Sequence, residues 1–150
     1  FGQGTHYEIY KLLGAHPYAE EERGCFLCCM GASCKTVSVV GDFNGWNPEV
    51  NVMKCDNDMG IYQLFIPKVR EGDMYKYCIT TQKGEFLYKS DPYGNFSEMR
   101  PGNASKVVNL EGFKWGDTAW MKKRQQFDPQ KDAMSIYEVH MGSWMRHRAR

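Results

Sequence analysis

The chain has 150 residues, 42% hydrophobic and 25% charged, with 19 basic against 18 acidic side chains and a formal net charge of +1. That length suits one core with short additions and excludes a complete (β/α)8 barrel of about 250 residues. The near-neutral balance leaves no electrostatic footprint for a nucleic acid or membrane partner, and no apolar run approaches the ~18 residues of a membrane span.

The chain begins at Phe1 without a charged-then-apolar leader and reads as a trimmed segment. The opening GTHYEIYKLLGAHP predicts a short helix. Thr5 is placed to cap it, Tyr7, Tyr10 and Leu13 recur at helical spacing, Gly14 is placed to end it and Pro17 forbids its resumption. After the acidic AEEERG loop the period changes to two. GCFLCCM, TVSVVGDF, GIYQLFIP, DMYKYCITT, EFLYKSDP and SKVVNL follow, separated by turn residues at the spacing of an all-β, antiparallel β-sandwich.

Alternation assigns faces within these runs. In GCFLCCM, Cys25, Leu27 and Cys29 share one face, and Phe26, Cys28 and Met30 the other. In DMYKYCITT, Tyr75, Tyr77 and Ile79 form the core side, with Met74, Lys76, Cys78 and Thr80 opposite. Farther on, GDTAWMKK predicts a second brief helix with Asp117 as its cap. FDPQKDAM reads as a linker. SIYEVHMGSW is an apolar strand with no place in the preceding meander, and the basic MRHRAR is a solvated end.

Adjacent Cys28 and Cys29 point to opposite faces of a strand and cannot converge on one ion. Cys25, Cys28, Cys29 and Cys34 supply only one irregular half of a paired zinc knuckle. The six cysteines therefore read as small core hydrophobes, reduced and metal-free, which suits a cytoplasmic location. Asp42, Asp56, Asp58, Asp73 and Asp91 lie in or beside turns and read as backbone caps. His6, His16, His140 and His147 are scattered. The expectation is of no catalytic residue, metal or cofactor within this chain.

FGQGTHYEIYKLLGAHP, VSVVGDFNGWNP, YQLFIPKVREGDMYKY, LYKSDPYG, MRPGNAS and SIYEVHMGSW resemble, in order and spacing, the N-terminal region of glycogen (1,4-α-glucan) branching enzymes of the α-amylase superfamily. The DFNGW turn recurs in starch- and glycogen-binding modules generally. The leader and SIYEVHMGSW look specific to branching enzymes. The resemblance implies a helical leader over 1–20, an immunoglobulin-like glucan-binding module over 21–112 and a connector with a short helix over 113–134. Residues 135–150 would then open a catalytic (β/α)8 barrel.

The implied parent reaction is retaining transglycosylation in glycogen biosynthesis. An α-1,4 chain is cleaved through a covalent glycosyl-enzyme intermediate, and a glucan 6-hydroxyl replaces water as acceptor. The family's aspartate nucleophile, glutamate acid/base and second aspartate lie on later barrel strands, so this segment by itself is expected to be inactive. The implied partners are α-glucan, as glycogen or malto-oligosaccharides, and the chain's own catalytic barrel. A free-standing glycogen-targeting scaffold or regulatory module, or the equivalent domain of a debranching enzyme, is the alternative. The leader and SIYEVHMGSW argue against both.

A glucose ring has apolar C–H faces and a polar rim, which a flat aromatic and edge-on hydrogen-bond donors suit. Trp46, just after the Asn44-Gly45 turn, is the candidate platform. Lys76 is available to the hydroxyls, and Asn44 and Asn47 could add amide contacts. In related modules a second aromatic follows the hairpin after YKY, which here is Phe86 or Tyr88. A glycan-contacting Asn of those modules aligns with Ser105. Two other readings of Trp46 stay open: packing in the groove against the barrel, and covering the end of its own turn. Trp115 and Trp120 read as packing residues of the connector.

Overall fold

The computed structural model describes residues 5–18, 23–31, 34–56 and 60–144. Asp58, His147 and the terminal MRHRAR lie outside the described residues. Two compact units divide the chain, Phe1–Gly112 and Phe113–Arg150.

In the first unit the alternating runs form two antiparallel sheets. The first has the order β1 (Gly14–Tyr18), β2 (Gly24–Met30), β5 (Ile61–Pro67), β4 (Lys54–Asp56). The second runs β3 (Thr36–Gly41), β6 (Met74–Thr80), β9 (Ser105–Lys106), β8 (Phe96–Ser97), with β7 (Phe86–Lys89) also paired to β6. One edge of β6 is taken along its length by β3, from Thr36↔Thr80 to Gly41↔Tyr75. Its other edge is shared: β7 pairs with Tyr77–Thr80, and β9 with Met74 and Tyr75.

The core lies between the sheets, as the alternation predicts. Cys25, Leu27 and Cys29 face Val37, Val39, Tyr75 and Tyr77, and Ile79 packs at the margin. β2 is covered on its outer face as well, where Cys28 and Phe26 pack with Leu13, Ile9 and Ile61. Fully burying Leu13 there contributes roughly 2 kcal/mol.

The leader departs from the helix its pattern predicts. Among the described residues a 3-10 turn, Ile9–Lys11, forms in place of the helix, and Gly14–Tyr18 then runs antiparallel to β2 from Gly14↔Cys28 to Tyr18↔Gly24. The edge of β2 carries backbone N–H and C=O groups that need partners, and a five-residue strand satisfies them better than a second helical turn. Pro17 is tolerated because β1 is an edge strand. Leu13 is buried under β2, while Tyr7 and Tyr10 remain exposed.

In the second unit, α1 (Thr118–Gln125) starts after Asp117, whose side chain makes no capping bond. The Arg124 guanidinium sits 5.5 Å from the Trp120 ring centre. SIYEVHMGSW does not form the expected strand. Ser135–His140 have no regular structure and Met141–Trp144 make a single helical turn, α2. An isolated apolar segment has no ladder to satisfy its backbone as a strand. Among the described residues, no helix is long and apolar enough to cross a membrane.

Candidate functional site

β3 leads from the core to the DFNGW turn through Gly41. This residue pairs with Tyr75, and a Cβ on it would lie 2.4 Å from the Met74 carbonyl oxygen, so only a hydrogen fits. A 3-10 turn, Asp42–Asn44, follows, and then Gly45 and Trp46 both adopt left-handed backbone, at φ +63° and +62°. For a tryptophan that conformation costs about 1 kcal/mol or more.

Asn44 holds the turn against this cost. Its Oδ1 accepts from the amides of Gly41 (3.0 Å) and Trp46 (3.1 Å). Its Nδ2 donates to the Val39 carbonyl (2.8 Å) and to Asn51 Oδ1 (2.7 Å). Two acceptor positions and two protons are the whole capacity of a side-chain amide. Asn44 therefore builds the turn and has nothing left for a ligand.

Trp46 is 36% exposed as a residue and belongs to neither core cluster. Its Nε1 donates to Asp42 Oδ1 at 3.3 Å, and Asp42 Oδ2 accepts from the Met74 amide at 2.9 Å. Asp42 thus ties the indole to the first residue of β6. Asn47 Oδ1 accepts from the Glu49 amide at 2.9 Å, an Asx turn that sets the exit from the tryptophan.

Lys76 lies two residues along β6 from Met74, on the face opposite Tyr75 and Tyr77, and its Nζ donates to Asn103 Oδ1. β7 brings aromatics to the same face, because Tyr88 pairs with Cys78 and Phe86 with Thr80. Along the strand these stand roughly 7 Å and 14 Å from Lys76. Both aromatic rings are about half exposed.

Ser105 is not brought to this face. It pairs with the core residue Tyr75, is 2% exposed, and its Oγ accepts from the Asp91 amide at 2.9 Å. The exposed asparagine beside Lys76 is Asn103, two residues earlier. Its signal lay in MRPGNAS, where an Asn directly after Pro-Gly belongs to a solvent-facing loop.

Asp91 does more than cap a turn. Its Oδ1 accepts from the Tyr93 amide at 2.8 Å, and its Oδ2 accepts from the Tyr75 hydroxyl at 2.6 Å. The Tyr77 hydroxyl is 3.1 Å from the same oxygen and 3.3 Å from the Cys28 carbonyl, with one proton to serve the two. Burial, followed by the Asp91 charge, raises both phenols far above the ordinary tyrosine range. This network lies inside the sandwich and anchors β6 under Lys76.

The family model for carbohydrate-binding module 48 (isoamylase N-terminal domain) matches residues 12–94. Across 148 residues, 98% of this chain, the sequence is 49% identical to the 1,4-alpha-glucan branching enzyme GlgB of Butyrivibrio fibrisolvens. Across 147 residues, 97% of the chain, it is 42% identical to GlgB of Protochlamydia amoebophila (strain UWE25). The chain spans 23% and 20% of those two proteins.

Among solved structures, pullulanase type I from Bacillus subtilis str. 168 complexed with maltose superposes with a TM-score of 0.54 at 18% identity, over 69% of this chain and 14% of that one. Klebsiella pneumoniae pullulanase complexed with maltotriose does so at 0.52 and 20% identity, over 67% and 10%. At such identities the likeness is one of fold, the β-sandwich. The family match takes in β1 to β7 with the Trp46 turn and Lys76, more than half of the sequence, and the chain belongs to the carbohydrate-binding module 48 (isoamylase N-terminal domain) family.

Proposed function

We propose that this chain is the N-terminal glucan-binding and docking portion of a 1,4-α-glucan branching enzyme of glycogen biosynthesis, working in the cytoplasm. The observation that carries this reading is the reach of the similarity to GlgB. It covers 98% of the chain, whereas the module match ends at residue 94 and begins at residue 12. A module shared across glucan-acting enzymes accounts for the middle of the chain. The likeness in the leader and in SIYEVHMGSW calls for a branching-enzyme context.

In this proposal an immunoglobulin-like module over 21–112 follows a leader over 1–20. The connector 113–134 leads to 135–150, the opening of the catalytic barrel. Exposed Ile136 and Tyr137 are then the apolar side chains that the barrel covers in the complete enzyme. Trp46 is the platform for a glucose face, held at its angle by Asp42. Lys76 and Asn103 address the sugar hydroxyls, Tyr88 or Phe86 supplies the second aromatic, and Asn47 edges the platform. Asn44 acts through the turn it builds, and Ser105 through Asp91.

The test is a titration of this chain with maltoheptaose, following the indole NMR signals and tryptophan fluorescence. The Trp46 indole resonance is expected to shift, and Trp46→Ala to lose most of the affinity while the protein stays folded. Unaltered affinity in a folded Trp46→Ala chain overturns the platform and transfers Trp46 to the interface with the barrel. The segment by itself is expected to form no α-1,6 links on amylose.

A further inference from the structure

In the first sheet β5 runs between β2 and β4, so Tyr62 stands opposite Cys29 on one side and Cys55 on the other. Residues directly opposite share a face, and this row looks into the core. Cys34, on the segment between β2 and β3, closes over the row, and its thiol donates to the Tyr62 hydroxyl at 3.2 Å. Cys55, directly opposite Tyr62 on β4, flanks the same side chain. Two cysteines thus flank one tyrosine side chain.

Exposure, together with reach, selects the pair. Cys29 and Cys55 lie two strands apart, about 10 Å, which exceeds the roughly 7 Å between Cα atoms that a disulfide can span. Cys29 is also buried, with its Sγ 3.8 Å from Met53 Sδ. Cys34 and Cys55 are partly exposed, whereas Cys25, Cys28 and Cys78 are buried. All six are free thiols in the structure.

We propose that Cys34 and Cys55 are a redox modification site, closing to a reversible disulfide when the chain meets a hydroperoxide. One thiolate attacks a peroxide oxygen and the O–O bond breaks, giving a sulfenic acid and releasing water from hydrogen peroxide or an alcohol from an organic hydroperoxide. The second thiol attacks that sulfur, the S–S bond forms and a water leaves. Two sulfurs are oxidised by one electron each, and the peroxide oxygens take both electrons. Tyr62 suits the first step at Cys34 because its hydroxyl can reverse the present bond and donate to a thiolate there. The link joins the segment entering β3 to the strand that follows Asn51, the residue bonded to Asn44 of the Trp46 turn. This inference does not depend on glucan binding.

The reduced chain is treated with hydrogen peroxide, its remaining thiols are alkylated with N-ethylmaleimide after unfolding, and it is mapped without reduction. The expected product is about 2 Da lighter before alkylation, for the loss of two hydrogens. A Cys34–Cys55 peptide pair should appear, and dithiothreitol should restore all six thiols. Cys34→Ser and Cys55→Ser should each abolish the mass loss, and Cys78→Ser should keep it. Six alkylated thiols after peroxide, a bridge between any other pair, or sulfinic acid at either sulfur with no bridge would overturn the assignment. The map of the unmodified sequence decides this even where a variant fails to fold.

Discussion

Trp46 Nε1 donates to Asp42 Oδ1 across 3.3 Å while the other oxygen of the same carboxylate accepts from the Met74 amide. One side chain therefore fixes the angle of the indole relative to β6. The left-handed backbone at Trp46 is the strained element, and the Asn44 amide is what stabilises it.

Asp42→Ala should separate positioning from contact. Losing the acceptor for an exposed amide costs about 1 kcal/mol of stability. Malto-oligosaccharide affinity should fall several-fold, less than in Trp46→Ala, because the platform remains without its brace. Urea melts and fluorescence titrations measure the two effects. Full affinity in Asp42→Ala would show that the brace does not orient the binding ring.

Asn103 and Ser105 should behave oppositely. Asn103→Ala and Lys76→Ala should each weaken sugar binding by about 1 kcal/mol, and together by less than the sum because they bond each other. Ser105→Ala removes the acceptor of the buried Asp91 amide and should cost about 1–3 kcal/mol of stability. Its sugar affinity should not change. Calorimetric titration of the three variants checks this, and a large affinity loss confined to Ser105→Ala would reverse the assignment.

Stability should fall in alkali. Burial is the main cause that holds the Cys25 and Cys29 thiols up to about 12, and it raises Tyr75 and Tyr77 further still. In the unfolded chain thiols ionise from about 8.5 and phenols from about 10. Above those values the unfolded state holds fewer protons than the native state, so raising the pH favours unfolding. Below them the contribution of these groups is complete. The urea midpoint should be level from about pH 7 to 8 and decline from about 9 upward. A midpoint unchanged to about pH 11 would contradict the burial of these groups.

Amides of Ser135–His140 should exchange quickly in this chain. None of them donates to a backbone carbonyl among the described residues, in contrast to the paired amides of β2, β5 and β6. Hydrogen exchange with mass spectrometry reads both in one experiment. Strong protection across Ser135–Trp144 in a dilute monomer would point to a ladder partner within the chain.

Much of the sandwich was legible because its signal is local. Alternation in GCFLCCM and DMYKYCITT reports which side chains share a face, and that holds whatever the strands pair with. The GTHYEIYKLLGAHP leader departs from its helical spacing, a signal that is equally local. Which structure wins there depends on β2, a strand several residues away whose edge needs pairing. The placement of Ser105 depends on the same kind of distance. Only its register with Tyr75 turns it inward and leaves Asn103 outside.

By itself, then, the sequence determined the all-β class, the two faces of β2 and β6, and the Gly41-to-Trp46 turn, since each follows from steric and periodic rules acting within a few residues. Tertiary structure alone decided that Asn44 is consumed inside the turn, because its partners Val39 and Asn51 lie on both sides of it. It likewise decided that Asp91 bonds Tyr75 and that Cys34 and Cys55 flank Tyr62. The reason is physical: a polar side chain finds its partner by position in space, and residues 16 or 28 apart in sequence become neighbours only when the sheets have paired and closed over the core.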